Sequence, residues 1–471
     1  MRILIVNKFL YPNGGSETYI FKIGQCLQEM GHEVQYFGME HEGRIVSNAI
    51  GSYTSDMSFH GGSKLSKLMY PVKILYSFEA RRKIRAVLDD FKPDVVHLNN
   101  INFQITPSII DEIEAYNKDV DAAEKREDGK KNSNRSSAVA TGGHIRIVYT
   151  AHDYQWVCPN HMLYIPSTGE MCSKCIDGDY SYCAHNKCIH SSKLRSLLGT
   201  LEAKLYDRKK TYALVDTVIA PSFFMKEKLS HNRNIDDNKI VALHNFVDEN
   251  SQRAKQTSTS EDNPDIMRTG FDRNVGDCGK EVIDKPYVLY FGRYDSQKGI
   301  KTLLKACRNL PDIQFVFAGK GELEKEVDST PNVLNKGFLT GQELTDTITK
   351  AAFTVFPSEW YENCPFSVVE SQMNGTPIIV SNLGGTTELI KENVTGEVFT
   401  AGDESQLTEK IRKLWENPKL VSSYRDNCKR IFADGEGKTD ETGSSDLSFD
   451  NLQSYCEKLL RIYSGETCPL K

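Results

Sequence analysis

No stretch of the 471 residues approaches the run of about twenty apolar side chains that a membrane-spanning helix needs. The chain opens Met1-Arg-Ile-Leu-Ile-Val6, directly into a strand-like run without a secretory leader, which predicts a cytoplasmic protein. A strong excess of one charge is also missing: 58 Lys and Arg stand against 64 Asp and Glu, a net charge of −6. The N-terminal half is the more basic, but this imbalance is too weak to predict a nucleic-acid partner. The first glycine loop, Tyr11-Pro-Asn-Gly-Gly-Ser-Glu17, contains no Gly-x-Gly-x-x-Gly, so it does not support a dinucleotide fingerprint. No Asp-x-Asp occurs in the segments that would line a pocket.

What is present is a strand-and-helix rhythm in a chain too long for one core. It begins with a strand from Ile3 to Phe9, a helix from Thr18 to Met30 stopped by Gly31, and a strand from Glu33 to Phe37. Asp94 to Asn99 and Ile147 to His152 read as parallel strands, with polar residues arriving where the strands should end and a ligand should bind. Between them, residues 118 to 143 are charged and poor in apolar side chains, which predicts a disordered surface insertion. Thr217 to Ser222 and Ile240 to Asp248 close the first domain. After a polar stretch the rhythm restarts at Tyr287-Val-Leu-Tyr-Phe-Gly-Arg293. The expected division is a first domain over 1–250 with a Cys-rich insertion at 158–190, a linker over 251–284, a second domain over 285–432, and a tail with an amphipathic helix, Phe449 to Tyr463, over 433–471. A basic cluster from Lys64 to Arg85, interleaved with Leu65, Leu68, Met69, Ile74, Leu75 and Phe78, reads equally as a solvated helix face or as a helix lying on the inner face of an anionic membrane.

The chain is organised around Phe356 to Val380. Pro365 suits a first helical turn and Gly375 a C-terminal cap, with Phe366, Val369 and Met373 on one face between them, so a short helix is expected, followed by a buried strand from Pro377 to Val380. Glu362 then lies in the loop before the helix and Glu370 inside it. Most helical glutamates are plain surface residues. Here a helix N-terminus that favours anions and a second glycine loop, Asn382-Leu-Gly-Gly-Thr-Thr-Glu388, converge on the pair.

Glu362-x7-Glu370 followed by an apolar strand and a Gly-Gly loop resembles the donor site of retaining GT-B glycosyltransferases, the group containing sucrose and glycogen synthases and many bacterial polysaccharide enzymes. The resemblance extends to Gly292-Arg293-x4-Lys298-Gly299, to the Gly-x-Gly turn at Gly319-Lys-Gly321, to Gly337-Phe-Leu339 as a base-recognition segment, and to Thr150-Ala-His-Asp-Tyr154. Asn245-Phe-Val-Asp248 departs from the family's Asn-Gly-Val-Asp at Phe246. The resemblance implies an α/β GT-B fold: two Rossmann-like domains facing across a cleft, with the C-terminal helix crossing back to the first. It implies transfer of a hexose from a nucleotide diphosphate sugar to a hydroxyl of a saccharide or lipid-linked acceptor, in lipid-linked or cell-surface polysaccharide synthesis.

On this resemblance Glu370 holds the ribose, Glu362 meets the sugar, and Arg293 with Lys298 binds the diphosphate, two cations placed where leaving-group charge develops. Gly15, Gly319, Asn363, Cys364, Pro365 and Phe366 complete the donor contacts. Gly14-Gly15 reads equally as a tight turn. His152 orients the donor sugar, Asp153 caps the next segment, and no catalytic metal is expected.

Twelve cysteines are present, and five crowd one polar segment: Cys158, Cys172, Cys175, Cys183 and Cys188. In a cytoplasmic protein Cys-x2-Cys with flanking cysteines reads as a structural zinc site. By similarity to segments in polysaccharide glycosyltransferases, Cys158, Cys172, Cys175 and Cys188 are the expected ligands, with Cys183, His161, His185 and His190 as substitutes. Two other functions share the architecture: a nucleotide-sugar 2-epimerase, which needs no acceptor, and a non-catalytic nucleotide-sugar-binding scaffold.

Overall fold

The computed structural model describes residues 1–55, 73–128, 143–247, 285–433 and 449–466. The expected linker over 251–284 and the N-terminal part of the basic cluster, Lys64 and Lys67, lie outside them. The chain divides into two compact units: Met1–Asn245 with Trp360–Pro365 and Leu452–Lys471, and Phe246–Glu359 with Phe366–Asn451.

In the first unit, strands β1 (Arg2–Val6), β2 (Glu33–Phe37), β3 (Val95–Leu98) and β4 (Arg146–Thr150) join β7 (Thr217–Ala220) and β8 (Ile240–Ala242) in one parallel sheet of order β2-β1-β3-β4-β7-β8. A two-residue pair, β5 (Tyr164–Ile165) and β6 (Glu170–Met171), stands apart from it. Register follows from burial: Ile3 pairs with Val95 and Val6 with Leu98. Strands covered on both faces carry unbroken apolar runs, and β3 and β7 are buried at every residue. Leu4, Val6, Val96, Leu98, Ile147, Tyr149 and Val218 form one core with Ile84, Val87 and Leu88 of the helix Phe78–Phe91 and with Ile109 and Ile113 of the helix Ser108–Asp128. That second helix runs on through residue 128, so the disorder expected from 118 is overturned up to that point: Ile109, Ile110, Ile113 and Tyr116 anchor its first half, and a nucleated helix propagates into charged sequence at little cost.

The second unit repeats the plan with β9 (Val288–Phe291), β10 (Phe315–Ala318), β11 (Val333–Asn335), β12 (Phe353–Phe356), β13 (Ile378–Ser381) and β14 (Gly396–Phe399), in the order β11-β10-β9-β12-β13-β14. Alternation splits its core. Val288 and Tyr290 face Ile300, Leu303, Leu407 and Ile411, while Leu289 and Phe291 face Ile348 and Ala351 on the other side. Near the start of β14, Glu397 is fully buried and ionised between Lys410 (2.7 Å) and Lys413 (2.6 Å), with Tyr424 donating at 2.9 Å. Burial raises its pKa, but these partners outweigh it and hold it below the usual range. The expected helix after Pro365 runs Phe366–Met373, but Val368, Val369, Ser371 and Gln372 are its buried positions. Phe366 and Met373 are only half-buried, because the face turned to the sheet is rotated from the one an apolar count selects.

The C-terminal helix runs Leu452–Tyr463, three residues shorter at its start than expected, and groups with the first unit. Tyr455, Cys456, Leu459, Ile462 and Tyr463 are its buried residues, each contributing on the order of 1.5–3 kcal/mol of apolar burial. A buried polar chain ties it down. The Tyr463 hydroxyl meets His97 Nδ1 at 2.7 Å, His97 Nε2 meets Thr150 Oγ1 at 2.8 Å, and Tyr19 links Thr150 (3.2 Å) to Tyr455 (2.9 Å).

Tyr463→Phe leaves the His97 nitrogen buried without its hydrogen-bond partner. It is expected to destabilise the chain by about 1–3 kcal/mol, read as a lower urea midpoint at unchanged slope.

Candidate active site

In a doubly wound sheet, ligands bind beyond the carboxyl ends of the strands where the winding reverses. In the first unit the chain turns one way from β1 to β2 and the other way from β3 onward, so the reversal lies between the ends of β1 and β3. Each of these strands ends on polar residues. Asn7, after β1, donates to Glu17 Oε1 at 2.9 Å and accepts the amide of Asn100, after β3, at 3.0 Å. Ser16 also donates to Glu17 Oε1 (3.0 Å), and Asn100 donates to Ser16 (2.8 Å). Glu17 lies buried in the first turn of the helix Gly15–Glu29, where the helix dipole favours a carboxylate. Gly15 is the exposed first residue of that helix. Sequence reading missed Glu17, Asn7 and Asn100, although a polar residue after a buried apolar strand is the signal that finds Asn7 and Asn100, and an acid in a helix's first turn the one that finds Glu17.

His152 follows β4. Asn99 directs its Nδ2 toward the carbonyls of Val6 (3.4 Å) and His97 (3.3 Å), so its Oδ1 meets His152 Nε2 at 2.9 Å. The Nε2 hydrogen therefore donates to Asn99, and Nδ1 keeps the lone pair. Tyr19 packs edge-on to the ring with centroids 5.1 Å apart. Burial pulls the pKa of His152 down to about 4 and outweighs the opposing pull of Asp153, so the ring is neutral at neutral pH.

Asp153 does cap the next segment, accepting the Gln155 amide at 2.9 Å. It also accepts from Asn102 at 2.8 Å and lies 3.6 Å from His161. Burial raises its pKa, but His161, Lys8 and the Gln155 amide together hold it lower than usual. His161 is stacked on Phe103 here (4.6 Å, 8°) and does not line the cavity of the clustered cysteines.

The loop carrying Glu362 groups with this unit. Glu362 is 8% exposed and accepts from Trp360 Nε1 at 2.5 Å. Asn363 accepts from Tyr154 at 2.6 Å and donates to the His152 carbonyl at 3.0 Å. Cys364 accepts the Asn245 amide at its sulfur (3.2 Å) and Asn245 Nδ2 at its carbonyl (2.9 Å). The structure thus engages Asn363 and Cys364, expected at the donor, in fixing the loop to the His152 segment.

In the second unit the winding reverses between β9 and β12. Arg293 follows β9, 76% exposed and paired with Asp295 at 2.7 Å. Lys298 Nζ lies 5.8 Å from the centre of the Phe356 ring at the end of β12. Glycines seal these loops together. A Cβ at Gly299 (φ +69°) would lie 1.8 Å from the Pro357 carbonyl, and one at Gly319 would lie 1.8 Å from that of Gly292. Gly319 is thus required for loop-to-loop packing. Glu370 stands in the second turn of the helix Phe366–Met373, after Pro365. Arg293, Lys298 and Glu370 accordingly occupy the elements that leave the reversal point.

All five clustered cysteines line one small cavity with Tyr164, Tyr182 and Asn186, and each is a free thiol. Burial pushes the Cys158 thiol up to about 11 and that of Cys175 up to about 12. His185 and His190 are exposed and do not line the cavity. Among the described residues no group of three or more His, Cys, Asp or Glu side chains is arranged to hold a metal ion.

Two doubly wound parallel sheets and a C-terminal helix returned to the first unit define the GT-B fold. Residues 279–431 match the family described as glycosyl transferases group 1, and residues 13–107 match glycosyltransferase family 4. With the fold, these matches place the chain among the GT-B glycosyltransferases. An alpha-D-kanosaminyltransferase from Streptomyces kanamyceticus is 27% identical over 156 residues, 31% of this chain and 40% of that protein, so the chain spans less than half of that relative. Sucrose-phosphate synthase from Thermosynechococcus elongatus shares the fold at a TM-score of 0.60 and 15% identity, over 98% of both chains. Anabaena HepE in complex with UDP-glucose does so at 0.58 and 14%, over 99% of this chain and 100% of that one.

The His152 imidazole is expected to titrate by NMR with a midpoint well below 6.5, near 4, and Asn99→Asp is expected to raise it by placing a carboxylate on Nε2. Because the unfolded chain takes up this proton at about 6.5, stability should fall as pH drops from that value toward the folded midpoint.

Proposed function

We propose that the protein transfers a hexose from a nucleotide diphosphate sugar to a hydroxyl acceptor with retention of configuration, in lipid-linked or cell-surface polysaccharide synthesis. The observation that carries the reading is the placement of Arg293, Lys298 and Glu370 on the loops and helix leaving the reversal point of the second sheet, within the residues matching glycosyl transferases group 1. The UDP-glucose complex of a protein of the same fold supports a nucleotide-sugar donor.

In this reading Glu370 binds the ribose hydroxyls, and the N-terminus of its helix faces the diphosphate. Arg293 and Lys298 meet charge that grows as the glycosidic C–O bond breaks, so they act on turnover more than on binding. Glu362 and the neutral His152 meet the sugar. Acceptor attack comes from the face the diphosphate leaves, and a phosphate oxygen takes the acceptor proton; no covalent sugar–enzyme intermediate is required. The protein would work at the cytoplasmic face of a membrane.

Glu370→Ala is expected to weaken nucleotide diphosphate binding by about 1–3 kcal/mol, and Arg293→Ala to lower turnover with little change in binding. An α linkage from an α donor, seen by NMR of the product, is the matching stereochemical result. A β linkage, or wild-type turnover in Arg293→Ala, would refute these assignments.

For the cysteine cavity we propose a structural zinc ion held by Cys158, Cys172, Cys175 and Cys188. The convergence of five thiols on one cavity supports this, and closing four sulfurs around a metal requires their side chains to shift together. Such a site has no open position for substrate and would stabilise a polar lobe that buries little apolar surface. Elemental analysis should find about one equivalent of zinc, lost in Cys172→Ser; a metal-free, fully reduced and active protein counts against it.

A further inference from the structure

The helix Lys193–Lys209 is built inside out. Its buried residues are Ser196, Gly199, Thr200, Glu202, Tyr206 and Asp207, whereas Leu194, Leu197 and Leu201 are 68%, 45% and 46% exposed. Leu198 and Leu205 are half-buried on the same side. At 100° per residue these five leucines fall within one face, opposite the polar one.

The inversion has a local cause. The inner face holds the cysteine segment by its backbone: Ser196 Oγ accepts the Ile189 amide at 2.9 Å, and Thr200 donates to the Tyr180 carbonyl at 3.1 Å. Gly199 passes so close that a Cβ would lie 2.4 Å from Ile189 Cδ1. Further along, Tyr206 donates to the Leu75 carbonyl at 2.9 Å, and Asp207 accepts from Asn234 at 2.7 Å and pairs with Arg233. A face engaged in this way cannot also carry the leucines, so they point to solvent.

The charge along the outward side is predominantly basic. Lys193, Arg195, Lys204, Arg208, Lys209 and Lys210 are all exposed; of these, Lys209 pairs with Asp111 and Lys204 interacts with the exposed Asp179, which leaves Lys193, Arg195, Arg208 and Lys210 as the cations along the rim. The helix's acids, Glu202 and Asp207, are turned inward, and burial pushes the Glu202 carboxyl up to about 8, so it adds little negative charge at neutral pH. We propose that this leucine face, rimmed by lysine and arginine, is the surface by which the protein docks on an anionic lipid bilayer.

A bilayer fits this chemistry better than a protein partner. Protein interfaces are depleted in lysine and anchored by aromatic residues, whereas here long basic side chains flank leucines, as in helices that bury one face among acyl chains while their charged heads reach lipid phosphates. The proposal deepens the reading of a lipid-linked acceptor, but its test measures lipid binding alone, so either can fail without the other.

The test is flotation of the full chain with phosphatidylcholine vesicles, with and without phosphatidylglycerol, at low and high salt. Wild type is expected to float with the anionic vesicles, to stay behind with pure phosphatidylcholine, and to be released by salt. Leu197→Glu combined with Leu201→Glu should cut partitioning at least tenfold, while the urea midpoint and nucleotide diphosphate affinity stay at wild-type values. Wild-type flotation of a folded double variant overturns the proposal, as does failure of the wild type to bind anionic vesicles. Lysate or self-association lost in the double variant without any vesicle binding assigns the face to a protein and equally overturns it.

Discussion

A parallel sheet covered on both faces leaves few places for polar chemistry. Every β3, β7, β9, β10 and β12 residue is buried, so a charged or amide side chain within these strands would lose water on both sides. The exception within β3, His97, is paired at both ring nitrogens, by Tyr463 and Thr150, and burial holds it neutral by pulling its pKa down to about 3. Polar residues otherwise collect beyond the strand ends. Asn7, Asn99, Asn100, His152, Asp153, Arg293 and Lys298 all stand in such positions, in two sheets wound to the same plan.

Much of this is legible in the sequence because period and punctuation carry it. Apolar runs of four to five residues mark the strands, and where Asn7, Asn99, His152 or Gly292-Arg293 follows β1, β3, β4 or β9 they mark the edge where ligands bind. The Glu362–Glu370 spacing and the glycines at 292, 299 and 319 mark the loops of the second unit. The roles of Asn363 and Cys364 are not legible. Their partners, Tyr154, His152 and Asn245, are more than a hundred residues away, and no local pattern says that a loop following β12 will group with the first sheet. The helix beyond residue 118 was hidden for the opposite reason: its charged second half forms because the first half is anchored in the core.

The cysteine segment and the inside-out helix are two consequences of one shortage. Residues 158–190 bury few large apolar side chains of their own, so their loops need hydrogen-bond partners from outside, and Ser196 and Thr200 supply them. A helix that gives its polar face to such a lobe must place its leucines elsewhere. An apolar count along the sequence assigns those leucines to a core, and only the direction of Ser196, Gly199 and Thr200 shows that they face outward.

That direction also explains why Glu202 can be tolerated where it is. A carboxylate buried beside Tyr206 and Tyr212 would be costly if ionised, and Asp153 adds like charge nearby, so the proton is retained and the group behaves as a neutral polar side chain. Moving this residue to the outer face would relieve that strain on its protonation but would place a negative charge among the basic residues beside Leu201. The inward position therefore has a physical advantage that burial alone does not give: it keeps a further negative charge off the largely basic exposed side of the helix, where like charges flank the outward leucines on a surface that repels its own copies.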